Sequence, residues 1–81
     1  MTRLDADVDK SQIPAARLIF AKNFRRARKE KGLTQQAIHE LHGFAQSYIS
    51  EVERGRSTIS LDNMAQLAEA VGTPLWKLLV P

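Results

Sequence analysis

Apolar residues recur along this chain at spacings of three and four positions, which is the period of an α-helix. The first such segment contains Phe20 and Phe24. It follows Pro14 and stops before Gly32. Proline is tolerated in a first helical turn, and glycine adopts the left-handed conformation at which many helices end. The pattern therefore predicts a first helix over residues 15–31.

Two shorter helices are predicted next, each bounded by residues that start or stop a helix. Thr34 offers a side-chain cap to a second helix over 35–42, and Gly43 ends it. A third helix is predicted over 45–54, and Gly55 closes it.

A fourth helix, capped by Ser60, and a short last helix, begun by Thr73 and Pro74, complete the pattern. No segment shows the alternation typical of a strand. The sequence predicts a compact all-α domain of five short helices over 15–81. The apolar stripe of the fourth helix, expected to face the core, contains Leu61, Met64, Ala65, Ala68 and Val71.

Residues 1–14 differ from the rest of the chain. They carry three aspartates in alternation, few large apolar residues and no helical period. We expect a flexible arm in front of the domain.

Composition and charge agree with one small globular domain. The chain has 81 residues, of which 43% are hydrophobic and 26% charged. Its net charge of +3 permits a polyanionic partner. The absence of cysteine suits a reducing compartment, and no secretory or membrane-spanning run is present, so a cytoplasmic protein is predicted. Half of the basic residues fall in one short run, namely Lys22, Arg25, Arg26, Arg28, Lys29 and Lys31.

The third helix places an acid on its apolar side. At about 100° per residue, Glu53 shares the face of Ile49 and Val52. A buried carboxylate is costly unless it is paired and hydrogen-bonded. Arg28 lies on the core-facing stripe of the first helix, so an Arg28–Glu53 ion pair is predicted. The alternative is that both side chains extend to water.

These segments are similar to the Cro and lambda-repressor class (XRE-type) of helix-turn-helix DNA-binding regulators. The resemblance covers residues 17–80 and rests on "RKEKGLTQ", on "YIS" followed by "ERG", and on "LAEAVG", in that order and spacing. It implies a lambda-repressor-like domain that binds double-stranded DNA as a homodimer on a palindromic operator, with helix 45–54 in the major groove. The protein would then associate with the nucleoid. The family also pairs the arginine and glutamate that fall here on Arg28 and Glu53.

The resemblance implies roles for the outward side chains of the motif. Glutamine can contact adenine with both amide atoms, a serine hydroxyl can donate or accept, and glutamate can accept from cytosine N4. The alternative for each residue is a merely solvated position. The candidates for reading bases are Gln46, Ser47, Ser50 and Glu51. The candidates for contacting the DNA backbone are Thr34, Gln35, Tyr48, Arg54 and Arg56.

The end of the chain carries more large apolar surface than so small a core can bury. The candidate dimer interface is therefore formed by Trp76, Leu79 and Val80. The alternative for Trp76 is an ordinary core position. A second hypothesis for the whole chain is a protein-interaction adaptor or antitoxin-like partner with the same fold. An enzyme is not predicted, because no phosphate loop or metal-ligand set accompanies the serines and histidines. No cofactor, metal site or small-molecule effector is expected.

Three residues depart from the family pattern. His39 stands where a small residue is usual, and His42 where an aliphatic one is usual. The His39 imidazole is expected either to point outward or to alter the packing of the two motif helices. Two histidines without a third ligand make a poor metal site. Ala45 replaces the usual serine or threonine cap of the third helix, so the start of that helix is expected to be less well held.

Overall fold

The protein, described by a computed structural model over residues 12–81, folds there into four α-helices and one 3₁₀ helix. They are α1 (Ala15–Glu30), α2 (Gln35–His42), α3 (Gln46–Glu53), α4 (Leu61–Ala70) and the 3₁₀ helix (Leu75–Leu79). The predicted all-α architecture is confirmed for this part of the chain. None of its helices is both long and apolar enough to cross a bilayer.

The last element differs from the predicted fifth α-helix. Leu75–Leu79 form a single 3₁₀ segment that begins after Pro74, and Lys77 N donates to the Pro74 carbonyl at 3.0 Å. Thr73 does not cap this segment, because its hydroxyl donates to the Val71 carbonyl at 3.3 Å. A run of five residues is typical of the short 3₁₀ turns that connect or finish longer helices.

The motif helices begin and end largely as their capping residues predict. Thr34 Oγ1 accepts from Ala37 N at 2.9 Å, and Gly43 ends α2 with φ of 79°. Ser60 Oγ caps α4 by accepting from Asn63 N at 3.0 Å. As the sequence predicts, Ala45 precedes α3 without any side-chain cap.

One core joins all four α-helices. The rings of Phe20 and Phe24 stack with centroids 5.8 Å apart, and Leu78 adds the 3₁₀ helix to the same cluster. Because the core holds the inner side of α3, the opposite side of that helix faces outward. The largest fully buried side chains are Phe20, Phe24, Ile38, Ile49 and Leu67.

The apolar stripe predicted for α4 is partly wrong. Leu61 is 65% exposed and Ala65 is also exposed. Leu61 occupies the first turn, beyond the edge of the core, and the buried side of α4 is formed by its second half together with Val71. The buried residues there are Leu67, Ala68, Ala70 and Val71.

Two other placements differ from sequence expectations. Leu41, which follows the buried Ile38 by three positions and so has the spacing of a core-facing residue, is 67% exposed. Ile13, grouped with the arm, is buried. Residues 1–11 of the expected arm lie outside the described residues.

Candidate nucleic-acid interface

The outward side of α3 carries a set of polar side chains. Gln46 and Ser47 are exposed, and Ser50 and Glu51 are half-buried. At about 100° per residue these four positions span an arc of roughly 140°. The buried Val52 lies opposite the middle of this arc, and the fully buried Ile49 lies next to Val52 on the helix. The structure therefore presents the four candidate base-reading residues on one face.

A bidentate ion pair ties α3 to α1. Arg28 Nε donates to Glu53 Oε2 at 2.5 Å, and Arg28 Nη2 donates to Glu53 Oε1 at 2.9 Å. The side chains are only 10% and 5% exposed. Arg28 Nη1 also donates to the Leu33 carbonyl at 2.9 Å, which holds the loop between α1 and α2. Two parallel charge-assisted bonds fix the orientation of α3 as well as its position.

The start of α2 is joined to the same pair. Gln35 Nε2 donates to Glu53 Oε1 at 3.1 Å, so the glutamate accepts from both preceding helices. The Thr34 hydroxyl is occupied by its cap bond to Ala37 N. The side chains of Thr34 and Gln35, two of the candidate backbone contacts, thus make hydrogen bonds within the protein. The first main-chain N–H groups of α2 have no carbonyl partner within the helix.

Tyr48 connects α3 with α4. Its ring stacks on Phe44 with centroids 5.8 Å apart. Its hydroxyl accepts from Asn63 Nδ2 at 3.1 Å. Asn63 was not singled out from the sequence, because an asparagine in a first helical turn gives no sign of a partner fifteen residues away. This hydrogen bond fixes the Tyr48 side chain of α3 against α4.

The turn after α3 packs closely against α1. Gly55 has φ of 73°, and a Cβ there would lie 2.8 Å from Leu18 Cδ2, so the position favours glycine. Arg17 Nη1 donates to the Gly55 carbonyl at 3.1 Å. Arg54 and Arg56 flank this turn and are exposed. The close packing holds both arginines beside α1.

His39 bridges the turn between α2 and α3. Its Nδ1 lies 2.7 Å from the Phe44 carbonyl oxygen, and because a carbonyl can only accept, Nδ1 carries the proton and donates. The imidazole is exposed, which matches the outward alternative expected from the sequence. His42 is also exposed. The bond restrains the residue just before Ala45, where α3 lacks a side-chain cap.

Replacing His39 by alanine is expected to destabilise the domain by about 0.5–1.5 kcal/mol, the value of one hydrogen bond. His42→Ala is the matched control, because both residues lie in the last turn of α2 and gain the same helix propensity. The difference between the free energies of unfolding of the two variants, measured in urea, gives the contribution of the hydrogen bond between His39 and Phe44. Equal stability of the two variants would show that the His39 bond contributes nothing.

An exposed apolar surface lies on the 3₁₀ helix and the residue after it. Trp76 is 64% exposed, Leu79 37% and Val80 51%. Trp76 is therefore not a core position in this chain. We call these three residues the apolar surface.

Asn23 holds the apolar surface against α1. It is buried, and its Nδ2 donates to the Leu78 carbonyl at 3.0 Å and to the Val80 carbonyl at 2.8 Å. Sequence reasoning missed this residue. Its position, three residues after Phe20 on the apolar stripe of α1, could have indicated it, because a buried polar side chain requires hydrogen-bond partners.

A pair of short helices joined by a glycine turn, with the second helix exposed and fixed from behind, defines a helix-turn-helix domain. The family model described as Helix-turn-helix matches residues 24–75. The chain belongs to this family, and its resemblance to the Cro and lambda-repressor class (XRE-type) of DNA-binding transcriptional regulators is confirmed.

Known proteins agree with this assignment. The chain is 40% identical over 65 residues to the HTH-type transcriptional regulator y4dJ of Sinorhizobium fredii, covering 80% of this chain and 84% of that protein. It is similar to the hypothetical transcription factor NHTF from Neisseria, with a TM-score of 0.75, 34% identity, and coverage of 98% and 88%. It is also similar to the restriction-modification controller C.AhdI from Aeromonas hydrophila, with a TM-score of 0.73, 35% identity, and coverage of 80% and 98%.

Proposed function

We propose that this protein is a sequence-specific DNA-binding transcriptional regulator that acts as a homodimer on a palindromic operator. The observation that carries the proposal is the exposed polar face of α3, whose back is fixed by the core and by the Arg28–Glu53 pair. In helix-turn-helix proteins the second motif helix enters the major groove and its first residues meet base edges. A rigidly held helix loses little freedom on binding.

The proposed base-reading residues suit this role chemically. Gln46 is exposed in the first turn of α3 and can contact adenine with both amide atoms. Ser47 and Ser50 can donate or accept, which adapts them to several bases. Glu51 accepts from Arg54 Nη1 at 3.4 Å in the free protein, and it is proposed to exchange this exposed contact for cytosine N4.

The proposed backbone contacts surround α3. The first turn of α2, at Thr34 and Gln35, offers main-chain N–H groups to a phosphate. Tyr48, Arg54 and Arg56 border the same face and can donate to phosphate oxygens. Such contacts set the register of the protein on DNA without reading sequence.

A homodimer is proposed through the apolar surface. Trp76, Leu79 and Val80 leave a large apolar area in water, and a second copy of the same surface would cover it around a two-fold axis. Dimers of this class engage half-sites about 34 Å apart, which is one turn of DNA. The regulators named among the similar proteins support a role in transcriptional regulation. Operator occupancy, rather than catalysis, would control transcription.

Selection from a random duplex library with purified protein at two salt concentrations tests the proposal. We expect one enriched two-fold symmetric motif over a salt-sensitive background. The double variant Gln46→Ala, Ser47→Ala is expected to lose about 1–3 kcal/mol of discrimination with the bidentate contact of Gln46, so its motif becomes degenerate at that base.

The result that would overturn the proposal is the absence of any enriched motif with the wild-type protein at both salt concentrations. A protein-interaction adaptor or antitoxin-like partner with the same fold would then be favoured. An unchanged motif in the double variant would leave DNA recognition in place but would remove Gln46 and Ser47 from the reading set.

A further inference from the structure

The outward face of α3 is rich in hydrogen-bond acceptors, and the helix carries no cation. Its sequence, QSYISEVE, includes neither lysine nor arginine. Those two residues make the commonest contacts to guanine, which presents the acceptors N7 and O6 in the major groove. The charged side chain on this face is Glu51, and an ionised carboxylate can only accept hydrogen bonds. In the proposed complex with DNA, Glu51 therefore needs a donor.

The two glutamates of α3 differ in how much of their accepting capacity is already used. The Glu53 side chain is 5% exposed, and its two oxygens accept from Arg28 and Gln35. The Glu51 side chain is 40% exposed, and within residues 12–81 it accepts one hydrogen bond, from Arg54 Nη1 to Oε2 at 3.4 Å. Such an exposed pair is weak, so its exchange costs little. Glu51 can thus accept from a base.

The major groove offers one kind of donor to a carboxylate. Cytosine presents its N4 amino group there and adenine its N6 amino group, whereas guanine O6 and N7 and thymine O4 are acceptors. A carboxylate that faces an acceptor where water is excluded has no partner, which is costly. Every base pair carries one exocyclic amine in this groove, on one of its two strands. Any operator sequence must therefore place an amine within reach of Glu51.

Gln46 has a less strict requirement than Glu51. The two residues are five positions apart, which is a rise of about 7.5 Å along the helix. Successive bases of one DNA strand are about 3.4 Å apart along the axis, so the two side chains meet different base pairs. The Gln46 amide both donates and accepts, and it can turn to suit either kind of base atom. The carboxylate of Glu51 cannot adapt in this way.

A methyl group on an exocyclic amine removes the donor that Glu51 needs. One hydrogen of the amine lies in the base pair, and the other points into the major groove. A methylated base that stays paired keeps the first hydrogen and carries the methyl group in place of the second. The carboxylate then meets a methyl group instead of an N–H group. A methyl group at cytosine C5, in contrast, leaves both N4 hydrogens in place.

We propose that Glu51 makes operator binding depend on an unmethylated exocyclic amine, so that N4-methylcytosine or N6-methyladenine at the base facing Glu51 excludes the protein. This inference rests on the proposed function and on the place of Glu51 in the base-reading face. A DNA methyltransferase that modifies exocyclic amines would then control occupancy of the operator. One that modifies cytosine C5 would not act through Glu51.

The test uses the operator duplex found by selection, with each cytosine or adenine of the half-site replaced in turn by its N-methylated form. At a sensitive base the matched control is 5-methylcytosine or 7-deazaadenine, both of which keep the amine. Affinities are measured for the wild type, for Glu51→Ala and for Glu40→Ala. Glu40→Ala is the control for the lost charge, because Glu40 is exposed on α2 and accepts from Gln36 Nε2 at 2.9 Å.

At the base facing Glu51, N-methylation is expected to weaken wild-type binding by about 5- to 150-fold, the range of a mismatched base pair. The control base at the same position should change the affinity little. Glu51→Ala should lose this sensitivity at that base, because it has no carboxylate to leave without a partner. Glu40→Ala should keep the sensitivity of the wild type.

A wild type that binds every N-methylated duplex as tightly as the unmodified operator would overturn the inference and leave the proposed function intact. Sensitivity that persists in Glu51→Ala at every position would also overturn it, because another side chain would then read the amine. If the wild type selects no operator, the proposed function fails and this inference fails with it.

Discussion

Replacing Glu53 by alanine is expected to lower the free energy of unfolding by about 3–5 kcal/mol. The substitution leaves Arg28 with a charged group that is 10% exposed and has lost two of its hydrogen-bond acceptors. Gln35 loses an acceptor as well. For a domain of this size each 1 kcal/mol shifts Tm by about 4–8 °C, so Tm should fall by at least about 12 °C.

Urea unfolding of matched variants checks this expectation. The control is Glu51→Ala, which breaks the exposed Glu51–Arg54 pair and should cost less than about 1 kcal/mol. The double variant Arg28→Met, Glu53→Met should recover most of the lost stability, because no buried charge is left unpaired. If Glu53→Ala costs no more than Glu51→Ala, the pair does not hold α3 in place.

Polar substitution of the apolar surface is expected to weaken operator binding by about 10²–10⁴-fold, the gain that linking two binding modules provides. The variant Trp76→Gln, Val80→Gln removes apolar area from the proposed dimer interface without changing charge. Its matched control is Leu41→Gln, Leu61→Gln, because those leucines are 67% and 65% exposed outside the apolar surface.

Sedimentation of both variants and titration of a palindromic duplex against a single half-site check the second expectation. The apolar-surface variant should sediment as a monomer and bind the palindrome little better than the half-site. The control should remain a dimer with the affinity of the wild type. A monomeric wild type that still binds the palindrome tightly would contradict dimerisation through this surface.

Much of the fold could be predicted because its signals are local. The glycines that end helices and the hydroxyls of Thr34 and Ser60 act over three or four residues, and the structure contains both cap bonds. The predicted first helix, 15–31, begins at the same residue as α1 and ends one residue later than Glu30. Helix caps can be predicted from the sequence because the capping side chain and the N–H group that it bonds are close along the chain.

Errors arose where a helix meets the edge of the core. Leu41 and Leu61 follow helical periodicity yet are exposed, because a short helix passes the core with only part of its length. Periodicity gives the orientation of a face but not where along the helix the neighbouring elements end. The last helix is also shorter than its pattern predicts. Its five residues form little more than one turn, and so short a segment is typically a 3₁₀ helix.

The sequence by itself determined the four α-helices, the order of the helix-turn-helix motif, and the need for a cation opposite Glu53. These follow from periodicity, capping and the cost of a buried charge, all of which act through composition and spacing. The tertiary structure decided the contacts between distant residues. His39 meets Phe44, Tyr48 meets Asn63, and Asn23 holds the apolar surface only because the chain folds back on itself.

The gathering of basic side chains between α1 and the turn after α3 is also a product of the tertiary structure. Lys22 and Lys29 belong to one basic run of the sequence, and Arg56, a candidate backbone contact, lies far from them along the chain. Packing of the Gly55 turn against Leu18 brings them to one surface. Electrostatic potential depends on distances in space. These side chains therefore produce a strong combined potential only when α1 and the turn after α3 are in contact.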